Sequence, residues 1–267
     1  MRGCDSALER AGRALVCPRG HSFDLARSGY VNLLQPQDRR SKEPGDSRAA
    51  AQARRRLTDA GHDAWMVKPI LEALDGTAPG RKRLAVLDLG CGEGFLLGSL
   101  ARARPMDAFG ADISVPAIEL AAKTHPTVTW VVSNADRRLP FADGSFDFVM
   151  SVTARRNGGE LRRLLGAGGR ALVVVPGEDD LGELREAVLG RLDRKDRAAP
   201  AIAELAGDLE PVSRRSIRRV ARFGASEVRD LLAATYRGAR SRERERAEKI
   251  GEMEVTLSRE LLLFRRD

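Results

Sequence analysis

Aromatic side chains make up only 4% of the 267 residues. A core with few rings must be filled by Leu, Val and Ala, and a hydrophobic content of 42% allows a sizeable one. Cysteine is nearly absent, with Cys4, Cys17 and Cys91 alone. Three thiols exclude a disulfide framework and fit a reducing, cytoplasmic setting. No apolar run approaches the length of a membrane span, and residues 1–10 are too polar for a secretory leader. Lysine is scarce as well, at six of the 46 basic residues, so the formal net charge of +8 is carried by Arg. Two readings of that excess stand. One is coding bias in a GC-rich genome; the other is a polyanionic partner, which guanidinium groups grip bidentately.

What the chain does have is an alternation of short apolar runs and helical segments from residue 83 onward. Strands are predicted over 84–89, 108–112, 128–132, 146–151 and 170–175, the last after the turn Gly166-Ala-Gly-Gly169. Helices are predicted over 94–103 and 115–123. Strands separated by helices of this length imply βαβ units and a parallel sheet. Near the end, Met253, Val255 and Leu257 alternate before 261–264, which predicts a late strand paired with one near 217–223. Upstream, Asp46 or Ser47 is placed to cap a helix over 48–60, and a second helix runs over 64–74 until Asp75-Gly76 and Pro79. Residues 35–47 read as a loop, and 237–249 as a charge-dense helix. Residues 1–34 are too few to hold a core of their own, so they need a metal or docking onto the rest.

Asp88-Leu-Gly-Cys-Gly-Glu-Gly94 follows a strand and opens a helix. Glycines there let the backbone turn tightly and approach a ligand. Asp112, at the end of the second strand, is placed to accept from two ribose hydroxyls. Asn134-Ala135-Asp136 follows the third strand, where an acid can accept from an adenine amino group. The competing reading is a nicotinamide-dinucleotide fold, but that predicts G-x-G-x-x-G where this chain has G-x-G-x-G.

Over residues 83–176 this ensemble resembles the class I S-adenosylmethionine-dependent methyltransferases. The resemblance implies an α/β, Rossmann-like, mostly parallel seven-stranded sheet. It also implies a cofactor site at Asp88, Gly90, Gly92, Gly94, Phe95, Asp112, Ile113, Asn134, Ala135 and Asp136. A second string, Cys17-Pro-Arg-Gly-His21-Ser-Phe-Asp-Leu-Ala-Arg-Ser-Gly-Tyr-Val-Asn-Leu-Leu34, is more specific. With Ser41-Lys-Glu-Pro-Gly-Asp-Ser47, Gln52-Ala-Arg-Arg55 and Asp59-Ala-Gly-His62, it resembles the RlmA-type 23S rRNA guanine-N1 methyltransferases. Members of that group include determinants of macrolide resistance. The resemblance implies a small zinc-ribbon-like module over 1–34 that helps bind 23S rRNA or another RNA. Linker and helices then cover 35–78, and a methyltransferase domain covers 79–267.

The same resemblance implies zinc ligands at Cys4, Cys17 and His21. The family's fourth ligand falls at Met1, so a water or Asp5 would have to complete the site, or the site is degenerate. Three further departures bear on the substrate. Asp63 stands where the family has an aromatic, a family His near Asp180 is missing, and Thr153-Ala-Arg-Arg156 replaces an Ala-Pro-Cys-like stretch. A small-molecule methyltransferase, or an RNA-binding paralogue without turnover, therefore remains an alternative. No catalytic base is assigned; Asp179 and Asp180 are candidates beside a plain capping role. His62 and His125 read as structural. The basic sets Arg54, Arg55, Arg56 and Arg214, Arg215, Arg218, Arg219, Arg222 stand evenly between phosphate contacts and solvated faces.

Overall fold

The computed structural model describes residues 4, 6–39, 41–190, 194–235, 246 and 248–267. Most of the predicted 237–249 helix lies outside them. The amino-terminal module is a three-stranded antiparallel sheet of β1 (Glu9–Ala11), β2 (Ala14–Val16) and β3 (Ser22–Asp24). The strands of the main sheet are β4 (Val31–Asn32), β5 (Leu84–Leu89), β6 (Met106–Asp112), β7 (Thr129–Val132), β8 (Phe146–Val152), β9 (Leu165–Pro176), β10 (Glu210–Phe223) and β11 (Met253–Arg265). Their order is β10-β11-β9-β8-β5-β6-β7-β4, with β11 antiparallel to both its neighbours, β10 and β9, and every other pair parallel.

Seven of these eight strands make up the expected sheet. The eighth, β4, comes from residues 31–32 and pairs in parallel with β7, Val31 opposite Val131 and Asn32 opposite Val132. Leu34 follows it into the main core, so this stretch docks on the sheet. Two residues carry no periodicity, which is why the sequence does not announce them as a strand. Gly166–Gly169, expected as a turn, bulges inside β9, between the pairs Phe146–Leu165 and Phe148–Arg170.

The central strands read as near-continuous apolar runs because both faces are covered. Val86, Phe148, Met150, Leu172 and Val174 pack to one side, with α2 (Val67–Leu74), α3 (Phe95–Ala103) and α4 (Val115–Thr124). Leu87, Leu89, Val149, Val173 and Val175 pack to the other, against α5 (Gly158–Leu164) and α7 (Ala198–Leu205). A third cluster joins Ala53 and Leu57 of α1 (Arg48–Asp59) to Leu184 of α6 (Gly182–Leu189) and Val228 and Leu231 of α8 (Ala225–Thr235). Ser47 caps α1 by accepting from Ala50 N–H. The helix predicted from 64 opens as a 3-10 turn, Ala64–Met66, before α2. Among the described residues no helix is long and apolar enough to cross a membrane.

Candidate functional site

The carboxyl ends of β5 and β6 meet at the glycine turn. Leu89 ends β5, and the amides of Gly90 and Cys91 return to the Ala111 carbonyl of β6. Gly94, the N-cap of α3, sits at φ +83, and a Cβ there would lie 2.5 Å from Trp130 Cη2. Gly90 is equally constrained, its would-be Cβ 2.3 Å from that of Ala154. Gly92 differs, because its open side meets only Arg54 Cδ, at 3.8 Å. Two glycines therefore serve packing, and the third faces free space.

Asp112 closes the turn. One carboxylate oxygen accepts from Gly92 N–H at 2.9 Å and the other from Ser114 N–H at 2.8 Å. Burial pushes its pKa up, against the pull of those two bonds. Asp88 lies beneath, 2% exposed, with Oδ1 unpartnered; burial and then repulsion from Asp112 and Glu93 push it up to about 8. Glu93 is a site residue that sequence reasoning missed, since a Glu in a glycine turn reads as solvated. It is 4% exposed, and burial pushes it up to about 7 despite Arg55 Nη1 at 3.8 Å. Cys91 is no nucleophile, because burial and then repulsion from the acids hold its thiol well above the ordinary value.

The loop before α1 wraps this corner. Ser114 Oγ donates to the Asp46 carbonyl, and Gly45 packs so closely on Ser114 that a Cβ would lie 2.7 Å away. Asn134, past β7, donates to the Asp38 carbonyl and accepts from Asp136 N–H, tying the loop down. Asp136 itself is exposed, with Ile113 and Ala135 half-buried beside the turn. Beyond Gly90 lies a cavity of about 240 Å³, lined by Thr153, Ala154, Arg156, Val175, Pro176, Arg197 and Pro200. Thr153 holds the left-handed φ of +53, rare for a β-branched residue and a frequent mark of functional loops.

The candidate bases are already engaged. Asp180 is 2% exposed, paired with Arg259 and accepting from Ser258 N–H; Asp179 pairs with Arg218 at 2.8 Å. The basic strand face is largely neutralised, through Arg214–Glu260, Arg215–Glu72 and Arg222–Glu252 as well. His62 stacks on Phe223 and bonds Glu227, a packed histidine.

In the small sheet, the turn joining β2 to β3 brings Cys17 N–H to the His21 carbonyl, with Gly20 at φ +82. Cys4, Cys17 and His21 then offer donors all within 4.8 Å of one another. The two sulfurs stand 3.8 Å apart, and Cys17 Sγ lies 3.2 Å from His21 Nδ1. Zinc–sulfur bonds of about 2.3 Å at tetrahedral angles separate two sulfurs by about 3.8 Å, so these donors fit three corners around zinc. Met1 and Asp5 lie outside the described residues.

Residues 86–172 match the methyltransferase-domain family, and residues 4–42 the family described as RlmA, N-terminal. The 23S rRNA (guanine(748)-N(1))-methyltransferase of Streptomyces fradiae is 36% identical over 268 residues, 96% of this chain and 92% of that protein. The chain belongs to the 23S rRNA (guanine-N1)-methyltransferase family. A relative from Micromonospora griseorubida is 35% identical, covering 86% of this chain and 82% of its own length. The YcgJ protein of Bacillus subtilis shares the fold, with a TM-score of 0.51 at 17% identity over 73% of this chain and 96% of its own.

Methyltransferases of this family draw the methyl group from S-adenosylmethionine, which carries a sulfonium and an ammonium. The atoms Asp88 Oδ1 and Glu93 Oε2, buried and without a hydrogen-bond partner, leave acceptors under the turn, Asp88 pushed toward its neutral form by burial and Glu93 3.8 Å from Arg55 Nη1. An acidic turn whose Gly92 faces open space fits such a ligand.

Proposed function

We propose that this protein transfers the methyl group of S-adenosylmethionine to N1 of a guanine in 23S rRNA. The observation that carries the reading is the shared wall between the glycine turn and the cavity, where Ala154 abuts Gly90. Donor and acceptor spaces adjoin at the carboxyl edge of the sheet, where open α/β sheets bind ligands. The relatives named as guanine-N1 methyltransferases support the acceptor, and the amino-terminal module supports RNA over a small molecule.

In this reading Asp112 accepts from the ribose hydroxyls with its remaining lone pairs, and Asp136, Asn134 and Ala135 border the adenine. Gly90, Gly92, Gly94, Phe95 and Ile113 line the donor space, while Asp88 and Glu93 lie beneath it as acceptors for the ligand's ammonium. The donor supplies an electrophilic methyl on sulfur. The chain's task is to hold the guanine in line with it. The Val175, Pro176 and Pro200 faces suit a flat base taken out of its stack, and Arg156 and Arg197 flank it. The N1 proton leaves as the N1–carbon bond forms, and with Asp179 and Asp180 both ion-paired it passes to solvent. Cys4, Cys17 and His21 hold zinc in the module that contacts the RNA.

Primer extension on 23S rRNA incubated with the protein and S-adenosylmethionine tests this, because N1-methylguanine blocks base pairing. A new stop at one guanine is expected. Methyl transfer to RNA without any such stop would move the reaction to another atom. No transfer to RNA at all would favour the small-molecule or binding-only alternatives.

A further inference from the structure

Three successive arginines on α1 end in different places. Arg55 reaches Thr124 and Asp59, and Arg56 grips Asp230 through both of its carboxylate oxygens. Arg54 instead runs over the glycine turn, where its Cδ is the only atom within 4 Å of the open side of Gly92. Its guanidinium is held in place from two sides. Nη2 donates to the Ala234 carbonyl of α8 at 2.9 Å and lies 3.9 Å from an Asp46 carboxylate oxygen. The side chain keeps 38% of its surface open, so donors remain for a further partner. Its charge reaches both Glu93 and Asp112, drawing their carboxyls down against burial.

The chemistry of the donor explains such an arrangement. S-adenosylmethionine has two cationic groups, ammonium and sulfonium, and one anionic group, the α-carboxylate. Asp46 and Asp112 put negative charge around the turn, with the buried acids Asp88 and Glu93 beneath it, which suits the cations and repels the anion. A carboxylate therefore needs a fixed cation beside Gly92, and Arg54 is poised there. We propose that Arg54 binds the α-carboxylate of the cofactor's methionine end, so that α1 roofs the donor site. The proposal rests on the donor reading above and adds a residue to it. It also separates Arg54 from the phosphate contacts considered for the three arginines together.

Calorimetry on the full chain tests it with two ligands, S-adenosylhomocysteine and 5′-methylthioadenosine, which lacks the amino-acid end. Arg54→Ala should weaken S-adenosylhomocysteine on the order of tenfold to a hundredfold, the usual worth of a hydrogen bond to a charged group. Methylthioadenosine binding should stay unchanged. Arg54→Met, which keeps an aliphatic stem over Gly92, should show the same selective loss and control for packing. Equal loss for both ligands would mean that Arg54 acts on the fold, and no loss for either would mean that it does not touch the cofactor; each result overturns the proposal. Wild-type protein that binds neither ligand would instead overturn the donor reading itself.

Discussion

Replacing Asp112 with Asn separates the two tasks of its side chain. Each carboxylate oxygen accepts one backbone N–H, from Gly92 and from Ser114. A carboxylate has about four acceptor positions, so one per oxygen remains for the ribose hydroxyls. Asn has a single oxygen, and its amide would set a donor against one of the two backbone N–H groups. Leaving a buried N–H unsatisfied costs about 1–3 kcal/mol. In a domain of this size that lowers Tm by roughly 2–4 °C per kcal/mol, so a fall of about 4–8 °C is expected for a mid-range loss of about 2 kcal/mol. Asn also removes a charge whose burial is unfavourable, which offsets part of that loss. Binding receives no such offset. One hydroxyl loses a charged acceptor worth about 1.5–3 kcal/mol, or roughly ten- to a hundredfold in Kd. Calorimetry with S-adenosylhomocysteine and a thermal melt measure the two effects separately. A lowered Tm with unchanged Kd would refute the ribose assignment and leave Asp112 as a brace for the turn.

Gly94→Ala combines a left-handed φ costing about 1–2 kcal/mol with overpacking against Trp130 costing about 1–3; Gly92→Ala incurs only the first, so the melt of Gly94→Ala should fall further. Asp180→Asn leaves Arg259 short of its partner and is expected to lower Tm strongly, since breaking a buried pair costs about 3–5 kcal/mol. The pH profile of methyl transfer should keep its shape in that variant, and a shifted profile would return Asp180 to the chemistry. Burial and then Arg102 push the pKa of His125 down to about 4. The unfolded chain, near pH 6.5, then takes up a proton that the native one refuses. Stability is therefore complete above about 6.5 and declines as pH falls toward 4; His125→Gln should flatten that part of a Tm-against-pH curve. For the metal, elemental analysis should find chelator-labile zinc in the protein as purified and none in Cys17→Ser, because three donors hold an ion less firmly than four. Zinc that survives a chelator would show that a fourth side chain completes the site.

The glycine turn was legible because it is local. Asp88 to Gly94 and Asp112 are fixed by strand ends, and the apolar runs that place those ends are long enough to read. The cap of α1 was narrowed to Asp46 or Ser47, of which Ser47 serves, and the pairing of β10 with β11 was equally visible. Glu93 was not, because nothing in the residues beside it shows that α1 buries it. The fates of the basic residues were hidden for the same reason: Glu72, Asp179 and Glu252, which neutralise the β10 arginines, lie far away in sequence. The engagement of Asp180 depends on β11, some 78 residues downstream, through Ser258. Long-range pairing, rather than weak local signal, set the boundary of what the sequence told.

The two-residue strand β4 has a further consequence. A parallel sheet that ended at β7 would present the free N–H and C=O groups of Thr129–Val132 at an open edge, a template for pairing with other chains. Val31, Asn32 and the Leu33 N–H, which donates to the Val132 carbonyl, cap the Val131–Val132 half of that edge. Besides the RNA contact proposed for it, the module thus covers an edge open to self-association. Cutting the chain after residue 34 would uncover β7, remove the buried Val31 and strip the main core of Leu34. A shortened protein that aggregates would therefore report on the exposed edge before it reported on RNA. Point changes at Cys17 or His21, which leave β4 in place, are the cleaner way to separate the two roles.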